Sequence, residues 1–280
     1  MSTEHRCFID GFALWSPTLP GWDAAAAALR GGPLPPPAAG RPAPALLAAN
    51  ERRRAPDSVL MALEVAAAAL AASGRDAAGV ATVFASAHGD LPITDALCKT
   101  LAGDPRLLSP TRFHHSVHNA ASGYWAIGSG STAASTALAS ADGSFATGLL
   151  EALAQCAADT QPVMLVAYDT EATGPLRSVN SSRSLLAAAL LLSPEPAGPA
   201  SWAVDWHTGP GAVAVPAASS AAAQALQANA SSPALPLLEA LACGQPAQLA
   251  WPLSATVALQ LRLRAPGSCP TSTGSQPPAA

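Results

Sequence analysis

The stretch from Ser109 to Thr173 places the strongest limit on how this chain of 280 residues folds. It reads as a loop, a helix of small residues, a short strand, a tight turn, a second helix and an apolar strand from Val163 to Tyr168. Such an uninterrupted apolar strand is typical of a sheet that is buried on both faces. The order of elements predicts an α/β fold in which helices cover both sides of a mixed, mostly parallel sheet.

The rest of the chain supplies further strands and helices around this stretch. Upstream we predict strands at Arg6–Trp15 and Val80–Ser86, helices at 23–30, 57–74 and 91–101, and a proline-rich loop at 31–44. Downstream we predict strands at 184–192, 201–207 and 256–264, and helices at 217–228 and 235–242. We expect one domain over residues 1–265, with a core at 5–175 and additional elements at 176–265, followed by a disordered tail at 266–280.

The composition excludes several classes of protein. A net charge of −4 and one short basic cluster, Arg52–Arg54, argue against a nucleic-acid partner. Five scattered cysteines without a CxxC pair indicate reduced thiols rather than disulfides or zinc, and no secretory peptide or membrane span is evident. We therefore expect a cytoplasmic protein without metal or cofactor. Only 11% of residues are charged, which indicates either a large interface with a partner or the bias of an alanine-rich sequence.

The centre of the stretch resembles a scaffold for catalysis. Ser135–Ser140 reads as a strand of small residues, and Asp142, Gly143 and Ser144 begin the helix that follows. A strand that ends in a tight turn at a helix N-terminus directs the turn residue into the positive end of that helix. Enzymes use this arrangement to hold a nucleophile and an oxyanion.

The order of these motifs resembles the N-terminal half of β-ketoacyl synthases, which have the thiolase-like fold. The family pattern is a Ser-Pro turn, an Asn-Ala helix, a strand ending in Thr-Ala-Cys, a helix with glycine, and a strand before a segment with Glu-Ala. The resemblance covers roughly residues 5–175. The matching motifs are Ser109-Pro110, Asn119-Ala120, Thr136-Ala137, the helix through Gly148, and Val163–Ala167 followed by Glu171-Ala172.

The chain departs from the family where the chemistry occurs. The position of the nucleophilic cysteine falls on Ser140, Ala141 or Asp142, and no cysteine lies between Cys98 and Cys156. A thiolate attacks a thioester far better than a hydroxyl does at neutral pH, so acyl transfer should be lost. The family's two histidine motifs are absent and Lys99 is the only lysine, far upstream. The resemblance therefore implies no catalytic residue and a truncated, chain-length-factor type of subunit, as in aryl-polyene-like pigment clusters.

The resemblance also implies a partner and two sets of residues. The chain would pair with an active β-ketoacyl synthase as a heterodimer and would meet an acyl carrier protein through that complex. Product length would depend on the residues that line an acyl tunnel at the interface. The expected tunnel residues are Ile93, Leu97, Thr100 and Phe113. The expected interface residues are Asn119, Tyr124, Trp125, Ser135, Thr136, Ala137 and Leu138.

Other interpretations remain open from the sequence. Ser140 or Asp142 with His115 or His118 would make an acyl-thioester hydrolase or transferase, although neither Ser140 nor Ser144 lies in a Gly-x-Ser-x-Gly motif. His114 and His118 have the spacing of metal ligands on a helix, but the glutamate of an HExxH motif is missing. A structural homodimer that binds no acyl substrate is the third alternative.

Overall fold

The alternation of apolar residues in the first strand explains how the chain builds both faces of its sheet. In the computed structural model, which describes residues 4–37, 40–180 and 182–267, this strand is β1 (His5–Ser16). A β-bulge between Ile9 and Gly11 shifts the alternation by one residue. As a result Ile9 belongs to the core on one face, whereas Trp15 belongs to the core on the other face.

Nine strands and nine helices follow one another in the described part of the chain. After β1, the strands are β2 (Leu19–Pro20), β3 (Ala81–Ala85), β4 (Ser135–Leu138), β5 (Val163–Asp169), β6 (Leu186–Ser193), β7 (Trp202–Pro210), β8 (Ala247–Pro252) and β9 (Val257–Arg264). The helices are α1 (Trp22–Leu29), α2 (Ala49–Arg54), α3 (Asp57–Ser73), α4 (Leu91–Gly103), α5 (Pro110–Ser116), α6 (Ala120–Ser129), α7 (Ser144–Asp159), α8 (Ala221–Ala225) and α9 (Leu235–Cys243).

These strands form one mixed sheet in the order β4-β3-β5-β6-β1-β7-β9-β8, with β2 paired to the end of β1. Strand β3 runs parallel to both β4 and β5, and the remaining neighbours are antiparallel. The predicted α/β fold with a mixed sheet is confirmed. The predicted parallel arrangement applies to β4-β3-β5, because β5 and β6 are joined without a long crossover helix. Strands β7, β9 and β8 continue the same sheet beyond β1.

Apolar clusters on the two faces of the sheet hold the helices in place. Helices α1, α7, α8 and α9 cover one face, where Leu149 of α7 packs in the same cluster as Trp251 of β8. Helices α3 and α6 cover the opposite face, where Leu60 and Trp125 pack with Phe84 of β3. A fully buried leucine or phenylalanine side chain contributes about 1.5–3 kcal/mol, so these two clusters provide the main stabilisation.

A glycine allows helix α7 to lie directly on the parallel strands. A Cβ atom added to Gly148 would stand 2.6 Å from Cβ of Ala85 and 3.1 Å from Cδ1 of Leu165. Real Cβ atoms do not approach neighbours this closely, so a larger residue would push the helix away from β3 and β5. Gly148 therefore fixes the position of the turn that precedes α7.

Most of the predicted elements agree with the structure. The helix expected at 217–228 is shortened to α8 (Ala221–Ala225), and the elements β2, α2, α5 and β8 are not among those predicted. The tail expected from residue 266 lies outside the described residues from 268 onwards. None of the helices within the described ranges is long and apolar enough to cross a membrane.

Candidate functional site

The turn between β4 and α7 keeps the geometry of a nucleophile-presenting elbow. Ala141 has a φ of +44°, which L-residues rarely adopt. The turn is closed by a hydrogen bond from the Ser140 amide to Ser144 Oγ at 2.8 Å and by one from Ser144 Oγ to the Ala141 carbonyl at 2.7 Å. Backbone conformations of this kind cost of order 1–3 kcal/mol and occur most often at functional sites. Of the three positions predicted for the nucleophile, the one with the strained backbone is Ala141, whose methyl group has no reactive atom.

A cavity of about 270 Å³ opens beside this elbow. Its polar groups are Ser140, Asp142 and Ser254, and no histidine or lysine lines it. The apolar part comes mainly from the C-terminal half of the chain, and it comprises Val215, Pro233, Trp251, Pro252 and Leu253. Among the described residues, the chemistry available here is therefore two hydroxyls and one carboxylate, without an imidazole or an amine.

The histidines of the central stretch are engaged elsewhere. Nε2 of His115 lies 2.9 Å from Oη of Tyr124, and Nε2 of His118 lies 2.8 Å from the carbonyl oxygen of Leu138. Burial lowers the pKa of His115, and the neighbouring His114 lowers it further. In the described part of the chain no hydrogen bond joins Ser140 or Asp142 to either His115 or His118. The structure therefore does not assemble the alternative catalytic pairing.

The expected tunnel residues lie on two neighbouring helices at the carboxyl end of β3. Ile93, Leu97 and Thr100 are half-buried on α4, and Phe113 on α5 is 58% exposed. Asp90 caps the N-terminus of helix α4, since its carboxylate accepts a hydrogen bond from the Ile93 amide at 2.9 Å. Burial raises the pKa of the Asp90 carboxyl. The helix packs against α5 and against the turn at 174–178 rather than into either large apolar cluster.

The expected interface residues divide into surface and core. Asn119 is exposed, Tyr124 is half-buried, and the four residues of β4 are exposed or half-buried at the sheet edge. Trp125 is a correction, because its side chain is only 3% exposed and packs in the cluster around Phe84. Large apolar side chains are exposed on neighbouring segments, namely Leu101, Leu107, Phe113, Val117, Ile127 and Val179.

A buried carboxylate at the end of β5 was not identified from the sequence. Asp169 accepts hydrogen bonds from Ser86 Oγ at 2.9 Å, from the Ala87 amide at 2.9 Å and from Ser231 Oγ at 2.8 Å. Burial raises the pKa of its carboxyl, although these hydrogen bonds oppose the shift. Asp169 connects the ends of the parallel strands to the C-terminal segment. The available signal was a polar residue directly after a buried parallel strand, where neighbouring strands also end.

The described residues contain no group of three or more His, Cys, Asp or Glu side chains arranged to hold a metal ion. His114 and His118 do not share a helical face, because α5 ends at Ser116 and α6 begins at Ala120. His207 lies apart, on β7, where it lines a surface cavity with Asp205 and Gln260. Lys99 pairs with Asp95 on α4 at 2.7 Å.

The sheet order and the elbow before α7 define a protein of the thiolase-like, ketosynthase class. The chain belongs to the family described as "Beta-ketoacyl synthase, N-terminal domain", whose model matches residues 22–255. No curated protein matches the chain significantly in sequence.

Solved structures of ketosynthase complexes share the fold. A chain of the ketosynthase ApeO in complex with its chain length factor ApeC from Xenorhabdus doucetiae superposes with a TM-score of 0.65 at 22% identity, covering 91% of this chain and 98% of that one. A chain of the ishigamide ketosynthase/chain length factor gives a TM-score of 0.68 at 16% identity, covering 94% and 100%. A chain of AntDE:AntF, a type II polyketide synthase acyl-carrier protein in complex with its ketosynthase, gives 0.72 at 11% identity, covering 94% and 100%.

Proposed function

We propose that the chain is a non-catalytic, chain-length-factor-like subunit that pairs with an active β-ketoacyl-[acyl carrier protein] synthase. The complex would elongate polyene, polyketide or fatty-acid-type chains, and an acyl carrier protein would reach it through the active subunit. The observation that carries this proposal is the elbow, which keeps its strained turn at Ala141, while no cysteine, histidine or lysine among the described residues lines the cavity beside it. The solved complexes with the same fold support the choice of partner.

The open edge of β4 is the proposed pairing surface. The carbonyls of Ala134 and Leu138 accept hydrogen bonds from β3, at the Thr82 and Ser86 amides. Because backbone groups alternate in direction along a strand, those of Ser135 and Ala137 point away from the sheet. Within the described residues β4 pairs with β3 alone. A strand from the partner would satisfy the outward groups.

Helix α6 supplies a second part of this surface. Asn119, Gly123 and Ile127 are exposed and recur every four residues, so they lie along one face. A Cβ atom added to Gly123 would meet nothing within 4 Å, so packing inside this chain does not require a glycine there. A glycine in a helix costs roughly 0.5–1 kcal/mol relative to alanine. Close approach of a partner's backbone would explain its presence.

The proposed acyl tunnel would run between α4 and the partner. Ile93, Leu97 and Thr100 are only half-buried in this chain, so a partner is needed to close a tunnel around them. Replacing Ile93 or Leu97 with alanine would remove several methyl or methylene groups from its wall. We therefore expect longer products from the complex, because cavity volume limits how many extension units fit.

Co-purification tests the pairing. The chain would be expressed with candidate β-ketoacyl synthases of its source organism, and the Ala137→Pro variant would be compared with Ala137→Val. Proline removes the outward N–H of Ala137, whereas valine keeps it. We expect the wild type and Ala137→Val to retain the synthase and Ala137→Pro to lose at least about tenfold in affinity, roughly 1.4 kcal/mol. Failure of the wild type to retain any candidate synthase would contradict the proposal.

Activity of the isolated chain tests the enzymatic alternative. The purified chain would be incubated with acyl thioesters alone, and any turnover would be compared with that of Ser140→Ala and Asp142→Asn. We expect no turnover, since the ring of His115 bonds to Tyr124 and that of His118 to the Leu138 carbonyl, rather than to Ser140 or Asp142. Turnover that is lost in either variant would favour the hydrolase or transferase, and a stable homodimer without acyl binding would favour a structural role.

A further inference from the structure

We propose that His118 is a positioning residue that couples the edge strand β4 to helix α4 and so helps to set the length of the product. The inference rests on the function proposed above. From the sequence, His118 is a candidate base of the enzymatic alternative. In the structure its contacts join β4 to the turn before α4 instead.

The first contact fixes the end of the edge strand. Nε2 of His118 donates to the carbonyl oxygen of Leu138 at 2.8 Å, and the same oxygen accepts the Ser86 amide at 3.2 Å. A carbonyl oxygen has two lone pairs, so both are used here. Because Leu138 ends β4 two residues before the elbow turn begins at Ser140, this contact also anchors the elbow.

The second contact reaches the turn that leads into α4. A Cβ atom added to Gly89 would lie 3.6 Å from Nδ1 of His118, so the imidazole packs directly on this glycine. The Gly89 amide donates to Ser86 Oγ at 2.9 Å. The next residue, Asp90, accepts a hydrogen bond from the Ile93 amide at 2.9 Å and so caps α4. The contacts therefore run from the edge strand to the first expected tunnel residue.

The third contact holds the backbone of His118 itself. Its carbonyl oxygen accepts a hydrogen bond from Oη of the buried Tyr168 at 3.3 Å. The imidazole thus stands on a rigid base between β5 and β4. Because the Leu138 carbonyl can only accept, Nε2 of His118 must carry the proton. The ring therefore acts as a fixed donor, which is a positioning role and needs no proton transfer.

Hydrogen exchange on the isolated chain tests the coupling without a partner. His118→Leu should speed exchange of the Ser86 and Gly89 amides roughly two- to tenfold, the effect of losing one hydrogen bond, and should leave the amides of α9 unchanged. His118→Gln places an amide donor near the position of Nε2 and should stay close to wild type. The control is His88→Leu, which removes an exposed imidazole from the same turn. Unchanged exchange in His118→Leu would overturn the inference. If His118→Leu does not fold, His118→Asn, whose amide is too short to reach Leu138, takes its place.

Product analysis of the reconstituted complex tests the consequence. With His118→Leu the share of the main product length should fall at least twofold while the yield of complex stays the same, and His118→Gln should restore the distribution. An unchanged distribution from an intact His118→Leu complex would defeat this inference and leave the proposed function standing. If the wild-type chain forms no complex, the proposed function and the link to product length both fail, although the exchange result still reports on the contact.

Discussion

The two edges of the sheet differ in how they are protected from pairing with another strand. Edge strand β8 ends at Pro252 and is preceded by Pro246, and proline prevents a strand from donating to a neighbour. Edge strand β4, with the sequence Ser-Thr-Ala-Leu, has neither a proline nor a charge. Natural proteins block edges that must stay unpaired. The difference indicates that β8 is a closed edge and β4 an edge that is kept available.

The side chains around the two edge strands also differ in polarity. Beside β8, the polar residues Asp205, Gln248, Gln260 and Arg262 line part of a surface cavity of about 190 Å³. Beside β4 the helices expose large apolar side chains, of which Ile127 is 78% exposed. Exposed apolar groups next to an unprotected strand are typical of a protein interface. The comparison therefore locates the proposed partner surface on one side of the molecule.

The largest predicted effect is a loss of stability on replacing Trp251, the residue of β8 that packs in the core. Trp251 is fully buried, and the centroid of its ring lies 5.6 Å from that of Phe145. Its Nε1 donates a hydrogen bond to the Pro233 carbonyl at 2.9 Å. Trp251→Ala should lower the free energy of unfolding of the isolated chain by about 3–5 kcal/mol, measured by chemical denaturation. The matched change at the open edge, Leu138→Ala, should cost about 1 kcal/mol, because that side chain is only half-buried. Equal losses would show that the two edges do not differ in this way.

An intermediate effect is expected on association. Gly123→Leu should weaken binding of the partner synthase at least tenfold, about 1.4 kcal/mol, because it adds bulk to the proposed contact face. The stability of the isolated chain should be unchanged or slightly higher, since the new side chain meets nothing within this chain. The control is Ala72→Leu, a similar change at an exposed position of α3. Binding would be measured by titration of the purified subunits, and equal affinity of both variants would place the interface elsewhere.

Much of the fold was predictable because local patterns and burial agree in the N-terminal half. The apolar run predicts a buried strand at Val163–Tyr168, where the structure has β5, and apolar periodicity with Gly74 as a stop predicts the helix that the structure ends at Ser73. Strand β8 is not evident from the sequence because glutamine and proline interrupt its apolar pattern, although it pairs with β9 across a turn of only four residues, 253–256. Strand direction beyond β5 could not be read either, since it depends on topology rather than on periodicity.

The position of the candidate site in the chain could be predicted from the sequence, but the contacts between its side chains could not. Motif order leaves Ser140, Ala141 and Asp142 as candidates for the nucleophile position, and of these three only Ala141 has a positive φ. Trp125 was misassigned to the interface because the helical pattern does not show which face of α6 meets β3. The side-chain hydrogen bonds of Asp169 join residues 62 or more positions apart, such as Ser231, so no local pattern reveals them.

The two sides of the molecule also have titratable groups of different kinds. Burial alone raises the pKa of the Asp205 carboxyl on β7, but hydrogen bonds from Arg6 at 2.6 Å and Arg264 at 2.7 Å outweigh it and bring the pKa below its ordinary value. Near β4, burial and His114 lower the pKa of His115, while Asp90 opposes the shift. Both groups therefore lose stabilisation as the pH falls, but in different ranges.

The smallest predicted effect is a loss of stability on lowering the pH, which should occur at different pH values near α5 and in β7 and β9. The unfolded chain binds a proton at His115 near its ordinary pKa of about 6.5, before the folded chain does, so stability near α5 should fall as the pH drops below about 7. The contribution of Asp205 is complete above its ordinary pKa of about 4 and is lost only below it. Hydrogen exchange at pH 7.5 and 5.5, corrected for the intrinsic rate, should therefore show loosening of α5 and none in β7 and β9. His115→Gln should remove the change at α5. Loosening of both regions together would mean that the two sides unfold as one unit in this range.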